Sequence, residues 1–210
     1  MNTAGQIKTL LTVLLTTTAA FTSFSAQATP LITSIDAPST WIWPGATIGY
    51  SFSVSKDVTV NSLGVWDQYS DGLAEDHQVG LFSTAGELLI SATVTNNSLL
   101  LDSFRYKNIS PYKLTAGSYI LGAYMPGSGD KGAALANITT ATGVTYGKNL
   151  YLYGNGFVVP TMEWRGFDAG NIGPNMQFDN AQVPEPGSIA LLGFGMAALL
   201  LARKRKNQSV

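Results

Sequence analysis

Apolar and polar residues alternate with a period of two through much of the middle of the chain. The apolar residues Ile48, Tyr50, Phe52 and Val54 are separated by small or hydroxyl-bearing residues, a pattern typical of a strand with one buried face. Residues 88–94 repeat it, and Ala85-Gly86 predicts a hairpin turn before them. Further strands are predicted at 58–66, 79–82, 99–106, 119–124 and 143–153.

No stretch of the body shows a sustained helical period. The short strands and frequent turns therefore predict an all-β fold, either an antiparallel β-sandwich or a jelly roll. Composition agrees, because only 12% of the residues are charged and Gly is abundant at 22 residues. The chain has no cysteine, which excludes disulfides and thiol chemistry.

The charge of the body differs from that of the whole chain. Five of the 12 basic residues lie in the terminal segments, whereas all 13 acidic residues lie between Asp36 and Glu185. Residues 36–185 thus carry 7 basic against 13 acidic residues, a net charge of −6. Such a surface repels phosphate backbones, so nucleic acid is not expected as a partner.

The N-terminal segment has the features of a secretory signal peptide. Lys8 precedes an uncharged, mostly apolar run that ends near Phe21, and Ser25-Ala26-Gln27-Ala28 provides the small residues that signal peptidase accepts. We expect cleavage after Ala28, which leaves residues 29–180 as the folded body. A buried amphipathic helix is the alternative, but threonines occur on every face of the run.

The C-terminal segment has three parts in a fixed order. Pro184, Glu185 and Pro186 keep the chain extended, and an apolar run of 14 residues follows at 189–202. A cluster of four basic residues, which would stop transfer through the membrane, follows the apolar run: Arg203, Lys204, Arg205 and Lys206. By the positive-inside rule, the run predicts a short transmembrane helix that anchors the chain transiently. The alternatives are a permanent C-terminal anchor and a buried helix.

Residues 183–206 resemble the PEP-CTERM sorting signal of Gram-negative bacteria, with the motif at 184–186. The resemblance implies that an exosortase, a membrane cysteine transpeptidase, processes the chain near this motif after export across the inner membrane. It also implies a destination in the cell envelope, on the cell surface or in an extracellular matrix, in the setting of exopolysaccharide or a biofilm.

The body contains short sequence motifs that resemble those of a bacterial surface domain of unknown function. They are Leu63-Gly64-Val65-Trp66-Asp67, His77-Gln78-Val79-Gly80-Leu81-Phe82 and Leu114-Thr115-Ala116-Gly117-Ser118-Tyr119, and Gly173-Pro174-Asn175-Met176-Gln177-Phe178 resembles the end of such domains. The similarity covers roughly residues 46–178. It implies a β-sandwich and transfers no activity.

Aromatic residues near predicted strand ends are candidates for contact with glycans. They are Trp41, Trp43, Trp66, Tyr69 and Trp164. Trp41 and Trp43 lie two residues apart, so they point to the same side of an extended segment. The alternative is that these rings fill the core or cover the open end of the sandwich.

The loop at 67–76 carries four carboxylates around a glycine: Asp67, Asp71, Glu75 and Asp76. Such oxygen ligands suit calcium, although the spacing is not that of an EF-hand. The alternative is a solvated acidic loop. No other cofactor is expected.

The sequence predicts no enzyme. It lacks a G-x-S-x-G elbow, and the single histidine, His77, precedes a strand in a context that favours a structural role. Glu163 and Asp168 form no recognisable pair of glycosidase acids. We therefore expect an exported surface or matrix protein without catalytic activity, and a carbohydrate-binding module, with or without calcium, is the alternative.

Overall fold

The computed structural model describes residues 28–36, 39–134, 137–154, 156–164 and 172–180. They form fifteen strands and one short 3-10 turn at Gln68–Ser70. The strands are β1 (Thr29–Pro30), β2 (Ile32–Asp36), β3 (Ser39–Trp41), β4 (Ala46–Val54), β5 (Val58–Trp66), β6 (His77–Ser83), β7 (Leu88–Val94), β8 (Leu99–Leu101), β9 (Phe104–Leu114), β10 (Gly117–Met125), β11 (Gly132–Ala134), β12 (Asn137–Thr140), β13 (Val144–Tyr153), β14 (Met162–Glu163) and β15 (Pro174–Asn180).

The prediction of an all-β fold is confirmed. Residues 1–27 of the predicted signal peptide and the whole C-terminal segment at 183–206 lie outside the described residues. Among the residues that are described, no helix has the length and apolar character needed to cross a membrane.

Two antiparallel sheets make up the body. One has five strands in the order β1-β15-β5-β9-β8, and the other has six in the order β14-β13-β4-β10-β6-β7. Two short ribbons, β11-β3 and β12-β2, accompany them. The predicted hairpin at Ala85-Gly86 is confirmed, because it joins the paired strands β6 and β7, and Gly86 has a φ of 89°.

The alternation in β4 places its large apolar side chains in a core shared by both sheets. Tyr50 and Phe52 are buried there together with Leu63 and Val65 of β5. The Tyr50 hydroxyl donates a hydrogen bond of 3.2 Å to the carbonyl oxygen of Pro174 in the opposite sheet. Burial raises the pKa of Tyr50 well above its usual value, so the phenol keeps the proton that this bond requires.

The prediction that the polar face of β4 is exposed to solvent is wrong at the N-terminal end of the strand. Thr47 is fully buried, because the segment after β13 folds back over the outside of the six-stranded sheet. Thr47 Oγ1 accepts a hydrogen bond of 3.2 Å from the Val158 backbone N–H, and the Phe157 ring packs on Phe82 with centroids 5.3 Å apart. A small second core on the outer face therefore overrides the simple alternation.

Asn175 links strand β15 to the beginning of β2. Its Oδ1 accepts hydrogen bonds from the backbone N–H groups of Ile32 and Met176, at 3.0 and 2.9 Å. Its Nδ2 donates to the Ile32 carbonyl oxygen at 3.0 Å and to the Tyr106 hydroxyl at 2.9 Å. Asn175 is fully buried, so the segment 173–178 singled out in the sequence has a structural role.

The two ends of the body lie side by side. Thr29, the first residue after the predicted cleavage site, pairs with Phe178 near the end of β15. Val58 pairs with Asn180 at the same end of the five-stranded sheet, whereas Trp66 lies at the other end of β5. We call that other end the distal end. It contains the loops at 67–76 and 126–131 and the N-terminal end of β4.

Candidate functional site

Five aromatic side chains meet at the distal end: Trp41, Trp43, Tyr151, Tyr153 and Trp164. We call them the aromatic cluster. Trp43 is at its centre, with ring centroids 6.2 Å from Trp41, 5.4 Å from Trp164 and 5.8 Å from Tyr151. Trp41 and Trp43 stack at an interplanar angle of 27°, as expected for residues two apart in an extended segment.

The cluster has a buried base and an exposed rim. Trp43 is 2% exposed, whereas Trp41 and Tyr153 are 41% and 56% exposed, and the neighbouring Ile42 is 50% exposed. Thr40, Trp41, Ile42 and Lys131 line a shallow depression beside the rim. A ring that is packed along one edge and open on its other side is a rigid platform for an apolar or sugar face, because little side-chain entropy remains to be lost on binding.

Two of the sequence candidates lie outside this cluster. Trp66 is 5% exposed and belongs to the core between the sheets, so it cannot contact a glycan in this fold. Tyr69 is 80% exposed in the loop that follows β5, where its backbone φ is 71°. The structure thus brings Trp41, Trp43 and Trp164 together and adds Tyr151 and Tyr153, which the sequence analysis did not select.

The four carboxylates of the acidic loop do not converge on one point. Asp67 is buried in an ion pair with Arg105, with 2.7 Å between Arg105 Nε and Asp67 Oδ2. The Gly72 backbone N–H also contacts both carboxylate oxygens of Asp67. Asp71 and Asp76 are exposed. Asp67 therefore holds the base of the loop, and the predicted calcium ligands do not form a set.

Glu75 instead joins His77 and Asp130, and the three lie with their ligand atoms within 4.8 Å of one another. We call them the histidine–carboxylate group. Among the described residues, this is the group of acids and histidine that converges closely enough to hold a metal ion. Asp130 is the member that the sequence analysis missed, because it lies 53 residues from His77 and no local pattern marks it.

Both ring nitrogens of the fully buried His77 face oxygen acceptors. Nδ1 lies 3.0 Å from the Tyr124 carbonyl oxygen, and Nε2 lies 2.8 Å from Asp130 Oδ2. A carbonyl oxygen can only accept, so Nδ1 carries a hydrogen. A hydrogen, carried by either partner, or a cation then lies between Nε2 and the Asp130 carboxylate. In neither state does the ring have a nitrogen free to activate a nucleophile.

Of the two acids considered for glycoside hydrolysis, Glu163 forms an ion pair with Lys148 at 2.9 Å, and Asp168 lies outside the described residues.

Comparison with known families matches residues 36–168 to a domain of unknown function, DUF4082. The chain belongs to the DUF4082 family. The match covers both the aromatic cluster and the histidine–carboxylate group, and it ends before the segment at 173–178 that resembled the end of such a domain. No curated protein and no solved structure was found to match this DUF4082 chain.

A second match identifies residues 182–206 as a PEP-CTERM protein-sorting motif, as the sequence predicts. This motif implies that the DUF4082 chain is exported and processed by an exosortase. It also implies a destination in the envelope or on the surface of a Gram-negative bacterium. The sorting motif begins two residues after β15, whose last residue, Asn180, lies at the end of the five-stranded sheet opposite the distal end.

Proposed function

We propose that this DUF4082 protein is a non-catalytic component of the cell surface or of an exopolysaccharide matrix, and that it contacts polysaccharide through the aromatic cluster. The observation that carries the proposal is the exposure of Trp41 and Tyr153 above the buried Trp43. Side-chain packing alone would favour burying these rings, since large aromatics contribute most to stability when fully covered.

The position of the cluster supports the same proposal. Thr29 and Asn180, at the two ends of the body, lie at the end of the sheets nearest the sorting tail. Until exosortase removes the tail, the chain therefore presents the distal end, with Trp41 and Ile42, away from the membrane. The engagement of both His77 ring nitrogens supports a role without catalysis.

The processing of the two ends can be tested by measuring the intact mass of the protein from its native host, in membrane and medium fractions. We expect a species that begins at Thr29 and ends near Pro184 to Pro186, because signal peptidase and exosortase remove the segments outside the body. A mass that still includes 189–206 in every fraction would show a permanent anchor and contradict a matrix location.

Glycan contact can be tested with Trp41→Ala and a control, Tyr69→Ala, which removes an exposed ring outside the cluster. We expect Trp41→Ala to weaken binding to exopolysaccharide isolated from the host by about tenfold, or ~1.4 kcal/mol, because a stacking surface is lost. Binding is measured by retardation in affinity electrophoresis, and circular dichroism checks the fold of both variants.

Tyr69→Ala should bind like the wild-type protein. Equal binding by wild type and Trp41→Ala would exclude the aromatic cluster as the contact surface. No retardation of the wild-type protein, with or without calcium, would instead support a purely structural role in the matrix.

A further inference from the structure

The histidine–carboxylate group contains a buried polar atom that a purely structural role does not explain. Glu75 Oε2 is buried and has no hydrogen-bond partner, an arrangement that costs free energy unless something binds this oxygen. Gly127 leaves the space that the carboxylate occupies, because a Cβ atom at this position would collide with it. A buried, unpartnered carboxyl oxygen therefore lies beside a second carboxyl group, that of Asp130.

Backbone groups orient Asp130 and His77. The N–H groups of Ala74 and Glu75 donate to Asp130 Oδ1 and Oδ2 at 3.1 and 3.0 Å. The His77 Nδ1–H bonds to the Tyr124 carbonyl oxygen, which directs Nε2 towards Asp130. Hydrogen bonds of this kind, which orient a histidine and a carboxylate through their other atoms, are typical of metal sites.

We propose that Glu75, His77 and Asp130 bind one Zn²⁺ ion, through a carboxylate oxygen of each acid and Nε2 of the histidine. The cation takes the place of the hydrogen between Nε2 and Asp130 Oδ2, and it gives the buried Glu75 oxygen a partner. Ligand atoms around zinc are about 3.4 Å apart, so the 2.8 Å contact between Nε2 and Oδ2 opens by about 0.6 Å on binding.

The donor set selects zinc over calcium. Calcium takes six to eight oxygen ligands and does not favour imidazole, whereas zinc readily combines one nitrogen with carboxylate oxygens in four-coordinate sites. Asp130 also lines a cavity of about 420 Å³ at the distal end, together with Asp71 and Gly129. Glu75 and His77 do not line this cavity, so an ion from solvent would reach the group past the Asp130 carboxylate.

The test uses the full chain, purified without a histidine tag, and the variant Glu75→Gln. Asp76→Asn is the matched control, because it removes a neighbouring exposed carboxylate that lies outside the group. Equilibrium dialysis against micromolar Zn²⁺, with metal content measured by mass spectrometry, should give one zinc per chain for wild type and Asp76→Asn. Glu75→Gln should bind at least tenfold more weakly.

Two further measurements separate loss of a ligand from loss of the fold. Zinc at a hundredfold excess over its dissociation constant should raise the melting temperature of the wild type by about 5–10 °C and that of Glu75→Gln by much less. Gly127→Ala, which keeps all three ligands and displaces the Glu75 carboxylate, should also weaken binding. The proposal is overturned if wild type takes up no stoichiometric zinc, if Glu75→Gln binds like wild type, or if calcium displaces zinc at equal concentration.

Discussion

Replacing Asn175 with alanine is expected to lower the free energy of unfolding by about 3–5 kcal/mol. The substitution leaves the Ile32 N–H and C=O groups without their side-chain partner at the start of β2. Each buried polar group that loses its hydrogen bond costs about 1–3 kcal/mol, and the deleted amide also leaves a small cavity. Equilibrium urea unfolding of the full chain, followed by tryptophan fluorescence, measures the change.

Two further variants serve as comparisons for the loss of stability expected of Asn175→Ala. Tyr106→Phe removes only the hydroxyl that accepts from Asn175 Nδ2, so we expect a cost of about 1 kcal/mol. Asn108→Ala makes the same chemical change as Asn175→Ala on an exposed site of β9 and should stay within about 0.5 kcal/mol of wild type. A loss at Asn175 no larger than that at Asn108 would show that Asn175 does not hold β2 to β15.

Replacing Arg105 with alanine is expected to destabilise the protein by about 3–5 kcal/mol. Asp67, its partner, has a side chain that is only 1% exposed, so the substitution leaves an uncompensated carboxylate in the protein interior. Arg105 Nη1 also donates to the carbonyl oxygens of Asn96 and Ser98, and these bonds tie the loop before β8 to β9. The same urea titration measures the effect.

Lys113→Ala is the matched control, because it removes the basic member of an exposed pair with Asp57. Hydrogen bonds from Lys113 and from the Ala116 N–H lower the pKa of Asp57, yet solvent screens this pair, so Lys113→Ala should have little effect on stability. Arg105→Lys should fall between wild type and Arg105→Ala, since one ammonium group cannot reproduce the Nε and Nη1 contacts together. Equal losses for Arg105→Ala and Lys113→Ala would contradict a structural role for the buried pair.

Strands β4 to β7, β10 and β13 could be predicted from local pattern, because the alternation of each involves residues close in sequence. The single strand predicted at 99–106 is wrong, because Asp102 and Ser103 form a turn with positive φ between the paired strands β8 and β9. The alternation at 48–54 recurs in the buried side chains of β4, and Ala85-Gly86 forms the predicted turn. The burial of the outer face of the six-stranded sheet by the segment after β13 could not be predicted in this way. Thr47 is buried by Val158 and its neighbours, which lie 111 residues further along the chain, and a period of two says nothing about what packs on either face.

The candidate site was only partly predictable for the same reason. The common orientation of Trp41 and Trp43 follows from their spacing, and the structure shows it. Trp66 has the same side chain near the end of a strand, yet it is buried, because β5 is paired on both sides and its end faces the core. Side-chain type therefore identified candidates, and only their place in the sheets separated a rim residue from a core residue.

The sequence by itself determined the all-β class of the body and its export through a PEP-CTERM signal. A sorting signal is recognised as a short linear segment, so its information is complete in neighbouring residues. The tertiary structure decided which residues meet at the distal end, since Asp130 reaches His77, and Trp164 reaches Trp41, only when the antiparallel strands between them pair in register. Contacts between distant segments depend on this pairing, and no local pattern encodes it.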